Sequence, residues 1–179
     1  LHDALPIFVG LIGLTIFNLV SPQVSHSAGA LYPLLGPILL LSILGGREKL
    51  FQTGQLIFTT PHAKMRQPLL AWLAGVAVTG LFVAGYSARL IMMGDWGLLA
   101  GVLAGILFIP ALAIFLGTIS GTRRLFEIVF LLWWYMALNV TDGFLSGINF
   151  VNPDAAPFYF AGTIILLVLT LSWRFLSNR

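Results

Sequence analysis

Long apolar runs broken by short polar stretches set the pattern of this chain. Six apolar segments can be drawn, at about 6–20, 31–44, 69–93, 96–119, 125–145 and 156–176. A helix needs about 20 apolar residues to cross a bilayer, and four of the six approach or reach that length. The runs are continuous and do not alternate between apolar and polar, which excludes a transmembrane β-barrel and predicts helices. The segment at 31–44 is short, with Pro33 and Pro37 at its entrance, where proline is tolerated. Pro110 falls inside the fourth segment and predicts a kink. The expected fold class is an all-α integral membrane protein, one transmembrane domain over residues 1–179, with about six spans.

The longest polar interruption, 46–67, has a structure of its own. Leu50, Gly54, Ile57 and Phe58 fall on one side at helical spacing, and Glu48, Gln52, Gln55 and Thr59 on the other. Pro61 then ends the pattern, because proline disfavours helical geometry in the residue before it. A connector between two spans needs only four or five residues. This segment therefore reads as a short two-faced helix suited to docking a soluble partner. By contrast, residues 149–157 are turn-rich and read as a plain hairpin connection in preference to a re-entrant cap.

Composition strengthens the membrane assignment. The chain is 59% hydrophobic and 8% charged, with mean hydropathy +0.99, whereas soluble domains carry about 25% charged residues. Too little charge is present to coat a water-facing surface. The net charge of +3 reflects topology and not nucleic-acid binding. Arg47, Lys49, Lys64 and Arg66 lie between the second and third segments, Arg123 and Arg124 between the fourth and fifth, and Arg174 and Arg179 at the end of the sixth. Six alternating spans put these eight on one side, which the positive-inside rule makes cytoplasmic. Both ends of the native chain are then expected in the cytoplasm. Arg89 alone falls toward the other side, where it can snorkel or pair with Asp95. Leu1 stands where a methionine would start the chain, and the first segment looks clipped, so an N-terminally truncated fragment is expected.

Chemistry-bearing residues are few. With no cysteine there is no disulfide, thiolate metal site or cysteine nucleophile. His2, His26 and His62 are scattered and form no His-Glu-x-x-His pair. Gly117-Thr118-Ile119-Ser120-Gly121 is not a nucleophile elbow, and no glycine cluster is followed by the Gly-Lys-Ser/Thr of a Walker loop. No catalytic residue, cofactor or metal is expected, and the chain is read as a non-enzyme. Glu127, one turn into the fifth segment, suits an i,i+4 pair with Arg123. Asn139 and Asp142, toward the outer end of that segment, are the polar intramembrane groups that could face a conduit. Trp133, Trp134 and Tyr135 lie too deep for an interfacial belt and read as helix packing in preference to a ligand cage. Gly97, Gly101 and Gly105 allow close helix approach, within the chain or between two copies.

The order of parts resembles the membrane subunit of ABC-2 type exporters. The residues that carry the resemblance are Gly46-Arg47-Glu48-Lys49 through Phe58-Thr59-Thr60-Pro61, and Gly117 through Glu127, the latter similar to that family's turn between the fourth and fifth spans. The resemblance covers about residue 31 to the C-terminus. The short first segment departs from the family's amphipathic entry helix. The resemblance implies a permease of a bacterial or archaeal plasma membrane, with a coupling helix between spans two and three. A separate ABC ATPase subunit would drive it, and a second copy or a similar permease would complete the path. Arg47, Glu48, Gln52 and Gln55 are then the expected ATPase contacts, membrane lipid is the other partner, and nucleic acid is none. A membrane scaffold or assembly protein without a transport path is the alternative.

Overall fold

The computed structural model describes Gly13 and residues 33–44, 63–139, 149 and 152–176. Every regular element among them is helical. A 3-10 turn, Pro33–Leu35, leads into α1, Ile38–Leu44. Then follow α2, Ala63–Met93, α3, Trp96–Ser120, and α4, Arg124–Asn139. A second 3-10 turn, Pro153–Ala155, opens α5, Ala156–Leu176. The bounds expected for the last apolar segment match α5, and those for the fourth differ from α3 by one residue.

Local chemistry explains the boundaries. Only Gly94 and Asp95 separate α2 from α3. Gly94 adopts φ 74°, a left-handed conformation that only glycine reaches without strain. Asp95 then caps α3, its carboxylate accepting from the Leu98 N–H at 3.2 Å. At the far end of α3, Gly121 takes φ 66° and its N–H donates to the Gly117 carbonyl at 2.9 Å, an αL cap. Ser120 and Thr122 close the same turn, with the Thr122 N–H donating to Ser120 Oγ.

Two boundaries differ from the sequence expectation. The second apolar segment is expected from residue 31, but a 3-10 turn takes up Pro33–Leu35 and α1 begins only at Ile38. The polar stretch is expected to reach residue 67, but Ala63 to Gln67 already belong to α2. Pro68 lies inside that helix, so it does not punctuate a linker. It is the sixth residue of α2, so its missing N–H leaves the Lys64 carbonyl, near the helix start, without its helical donor.

Among the described residues, three helices are long and apolar enough to cross a membrane: Arg66–Met93, Trp96–Ser120 and Pro153–Leu176. The described part of α4 spans 16 residues, and the remainder of the segment drawn to 145 lies outside the described residues, as do the segment at 6–20 (Gly13 apart, which is helical) and the two-faced stretch at 46–61.

Side-chain neighbours give the directions of the helices. A Cβ on Gly97 would lie 3.2 Å from Pro153, and one on Gly162 would lie 3.1 Å from Phe108. Both positions advance together, so α3 and α5 run parallel. Arg174, in the last turn of α5, donates to Gln67 Oε1 near the start of α2 at 3.4 Å. α2 therefore runs opposite to α5 and α3. Helix α3 is the centre, touching α1, α2, α4 and α5. The core it organises includes Leu41, Val83, Leu90, Val102, Ile109 and Phe126. Three buried threonine hydroxyls are satisfied within their own helices: Thr79 donates to the Gly75 carbonyl at 2.8 Å, Thr163 to Tyr159 at 2.8 Å and Thr170 to Leu166 at 2.7 Å. Such back-bonding keeps polar atoms satisfied where no water is available.

Candidate functional site

The helix directions sort the charged residues into two ends. The N-terminal end of α2 and the C-terminal ends of α3 and α5 lie together, and α4 starts there. Arg66, Arg123, Arg124 and Arg174 thus share one end of the bundle. The opposite end holds Asp95, Asp154 and Arg89. There Tyr86 lies within electrostatic reach of both Arg89 and Asp95.

The arginine-bearing end is the candidate functional site, because the two-faced stretch leads into it through α2. Of the expected ATPase contacts, Arg47, Glu48, Gln52 and Gln55 lie outside the described residues. What is described is the joint they lead to. Helix α2 is fastened to its neighbours at two levels. Near its start, Gln67 accepts from Arg174 of α5. Just over a turn further on, Trp72 Nε1 donates to the Leu107 carbonyl of α3 at 3.0 Å. That carbonyl lies in the turn before Pro110, but the one that the proline leaves without its helical donor is that of Ile106, four residues before it. The indole therefore ties α2 to α3 without replacing the donor that proline removes.

A second cluster lies where α3, α4 and α5 meet. Phe108 packs edge-on against Tyr159 at 5.0 Å, and Trp133 does the same at 6.4 Å. Trp133 also donates to the Tyr159 hydroxyl at 3.4 Å. Phe126 and Phe130 continue the stack at 5.6 and 5.5 Å. The rings fill one another's edges, so Trp133 serves helix packing. Tyr135 is exposed on the outer face of α4.

Polar groups are not assembled into a channel among the described residues. Asn139 is exposed, and its amide donates back to the Tyr135 carbonyl of its own helix at 2.7 Å. Asp142 lies outside the described residues. Ser87 Oγ and Thr118 Oγ1 are buried without a hydrogen-bond partner, but Ser87 lies toward the Gly94 end and Thr118 toward the Gly121 end. Glu127 is half-buried in the first turn of α4, where its backbone N–H donates to the Arg123 carbonyl at 3.3 Å, and a carboxylate is favoured there by the helix dipole. No three His, Asp or Glu side chains come together as a metal site among the described residues. Reading residues along the chain missed Gln67, Trp72 and Tyr159. Each acts on a partner at least 26 positions away, and spacing along one helix carries no signal of that. Comparison with protein-family models, with curated proteins and with solved structures finds no match to the chain.

Proposed function

We propose that this chain is the membrane-spanning permease subunit of an ATP-driven exporter of the ABC-2 type. ATP is hydrolysed by a separate cassette ATPase that docks on the 46–61 segment, and a second permease copy or a similar chain completes the path. The native chain crosses the membrane six times with both ends in the cytoplasm. One observation carries the reading: the sequence before α2, at 46–61, has a two-faced, mixed-charge pattern, and α2 itself is tied to both α5 and α3. The Gln67–Arg174 and Trp72–Leu107 contacts give a tilt of that stretch a route into the bundle.

Co-expression with a candidate cassette ATPase tests it. The two chains should co-purify, and Glu48→Lys should insert normally yet lose complex formation and coupled hydrolysis. Removing one partner of a buried charge contact costs about 2–5 kcal/mol. If Glu48 only favours a helix N-terminus, the loss is about 0.3–1 kcal/mol. Single cysteines at Gln55 and Asn152 should label from opposite faces of sealed vesicles; labelling from one face ends the six-span reading.

A scaffold without a transport path is the second reading. It is favoured by the closed polar groups: Asn139 bonds its own helix, and Ser87 and Thr118 stand at opposite ends. A scaffold would show no ATPase co-purification and no effect of Glu48→Lys on hydrolysis.

A further inference from the structure

Two exposed arginines each stand at the head of an exposed apolar row. On α2, Arg66, Leu70, Leu73, Ala77, Leu81 and Ala84 are all exposed. On α4, Arg124, Ile128, Leu131 and Tyr135 are exposed at the same three- and four-residue steps. Such spacing places each set on one helix face. Those faces look away from the core, the α2 row lies on a helix long and apolar enough to cross a membrane, and both rows end in arginine at the same end of the bundle. The other ends of the rows carry no basic residue: α2 continues to Ala88 and Ile91, and α4 to Asn139.

We propose that Arg66 and Arg124, each at the head of its own lipid-facing row, bind the headgroups of anionic phospholipids at that end of the bundle. An arginine on a lipid-facing row lays its methylene stem along hydrocarbon and lifts its guanidinium to the interface. The acceptor at that depth is a phosphodiester, which the planar guanidinium fork matches with two parallel N–H donors. Net negative charge on the lipid adds attraction that a zwitterionic lipid lacks. Arg123, also exposed beside Arg124, and half-buried Arg174 raise the local positive potential. Glu127 opposes it in part from a neighbouring face of α4. A soluble partner does not fit the rows, because each arginine is continuous with side chains that face lipid. The surface is independent of the exporter reading.

The experiment uses the full chain in bilayers that mix phosphatidylcholine with phosphatidylglycerol, one or the other brominated near the headgroup. Trp173, exposed in the last turn of α5 at the same end, reports lipid contact by fluorescence quenching. The expected result is a preference for phosphatidylglycerol of up to about fivefold per arginine, weakened by salt. Arg66→Gln with Arg124→Gln should bring the preference close to parity. Arg66→Lys with Arg124→Lys should keep most of it, and shows that the altered surface still folds. Arg89→Gln, at the opposite end, should leave it unchanged. Parity in the unaltered protein overturns the proposal. So does a preference that survives the double glutamine change, including the case in which that change instead weakens binding of a soluble ATPase.

Discussion

Helices α2 and α3 look alike along the chain and differ in the fold. Both are long, apolar and rich in alanine and glycine. Yet 56% of the most apolar window of α3 is buried, against 28% for α2. Small residues do not tell them apart. On α3, Gly101, Ala104, Gly105 and Ala113 are buried and let neighbouring helices approach closely. On α2, Ala77, Ala84 and Ala88 are equally small and are exposed. Lipid is as apolar as a helix interior, so hydropathy marks a span without saying what surrounds it. Which apolar helix becomes the centre depends on packing with the others.

The contrast is broken most directly by removing large side chains. Ile109→Ala, at the 1% exposed centre of α3, should lower stability by about 2–5 kcal/mol. Leu73→Ala, on the outer face of α2, should stay within about 0.5 kcal/mol. Unfolding of both variants in the same micelles measures the difference, and equal losses would mean that α3 is not central.

Adding volume is a milder probe of the same difference. Ala104→Leu introduces bulk at a position with no exposed surface and should cost about 1–3 kcal/mol. Ala84→Leu points outward and should be tolerated within about 0.5 kcal/mol. A costly Ala84→Leu would reveal a partner on that face of α2.

The turn that joins the two helices comes next. Asp95→Ala removes the cap from α3 and should cost about 1 kcal/mol, with Asp95→Asn restoring most of it. Thermal unfolding of the pair separates loss of the cap from loss of charge.

The smallest effect concerns the bond between them. Trp72→Phe keeps an aromatic ring but removes the donor to the Leu107 carbonyl, at a cost of about 0.6 kcal/mol, the average for interhelical hydrogen bonds in membrane proteins. Unfolding of Trp72→Phe and the unaltered chain in the same micelles measures it, and no loss would show that the indole bond does not hold α2 to α3.

The residue pattern by itself determined that this is a helical membrane protein, and it located most described helix ends. Gly94-Asp95 and Gly121 are local signals, since a left-handed glycine and a capping aspartate act within one turn. Pro33 and Pro37 likewise marked the entrance to α1. The start of α2 was drawn late because Lys64, Arg66 and Gln67 are polar, although polar residues in a first helical turn disturb nothing. The expected docking residues Arg47, Glu48, Gln52 and Gln55, together with Asp142, lie beyond the described helices, so their roles rest on the sequence alone. Only the tertiary structure decided that α3 is central, that α3 and α5 run parallel, and that Gln67, Trp72 and Tyr159 tie helices together. Periodicity along a chain records which side of a helix differs from the other. It holds no information on which helix that side will meet, because in a bilayer both an apolar neighbour and a lipid tail satisfy the same face.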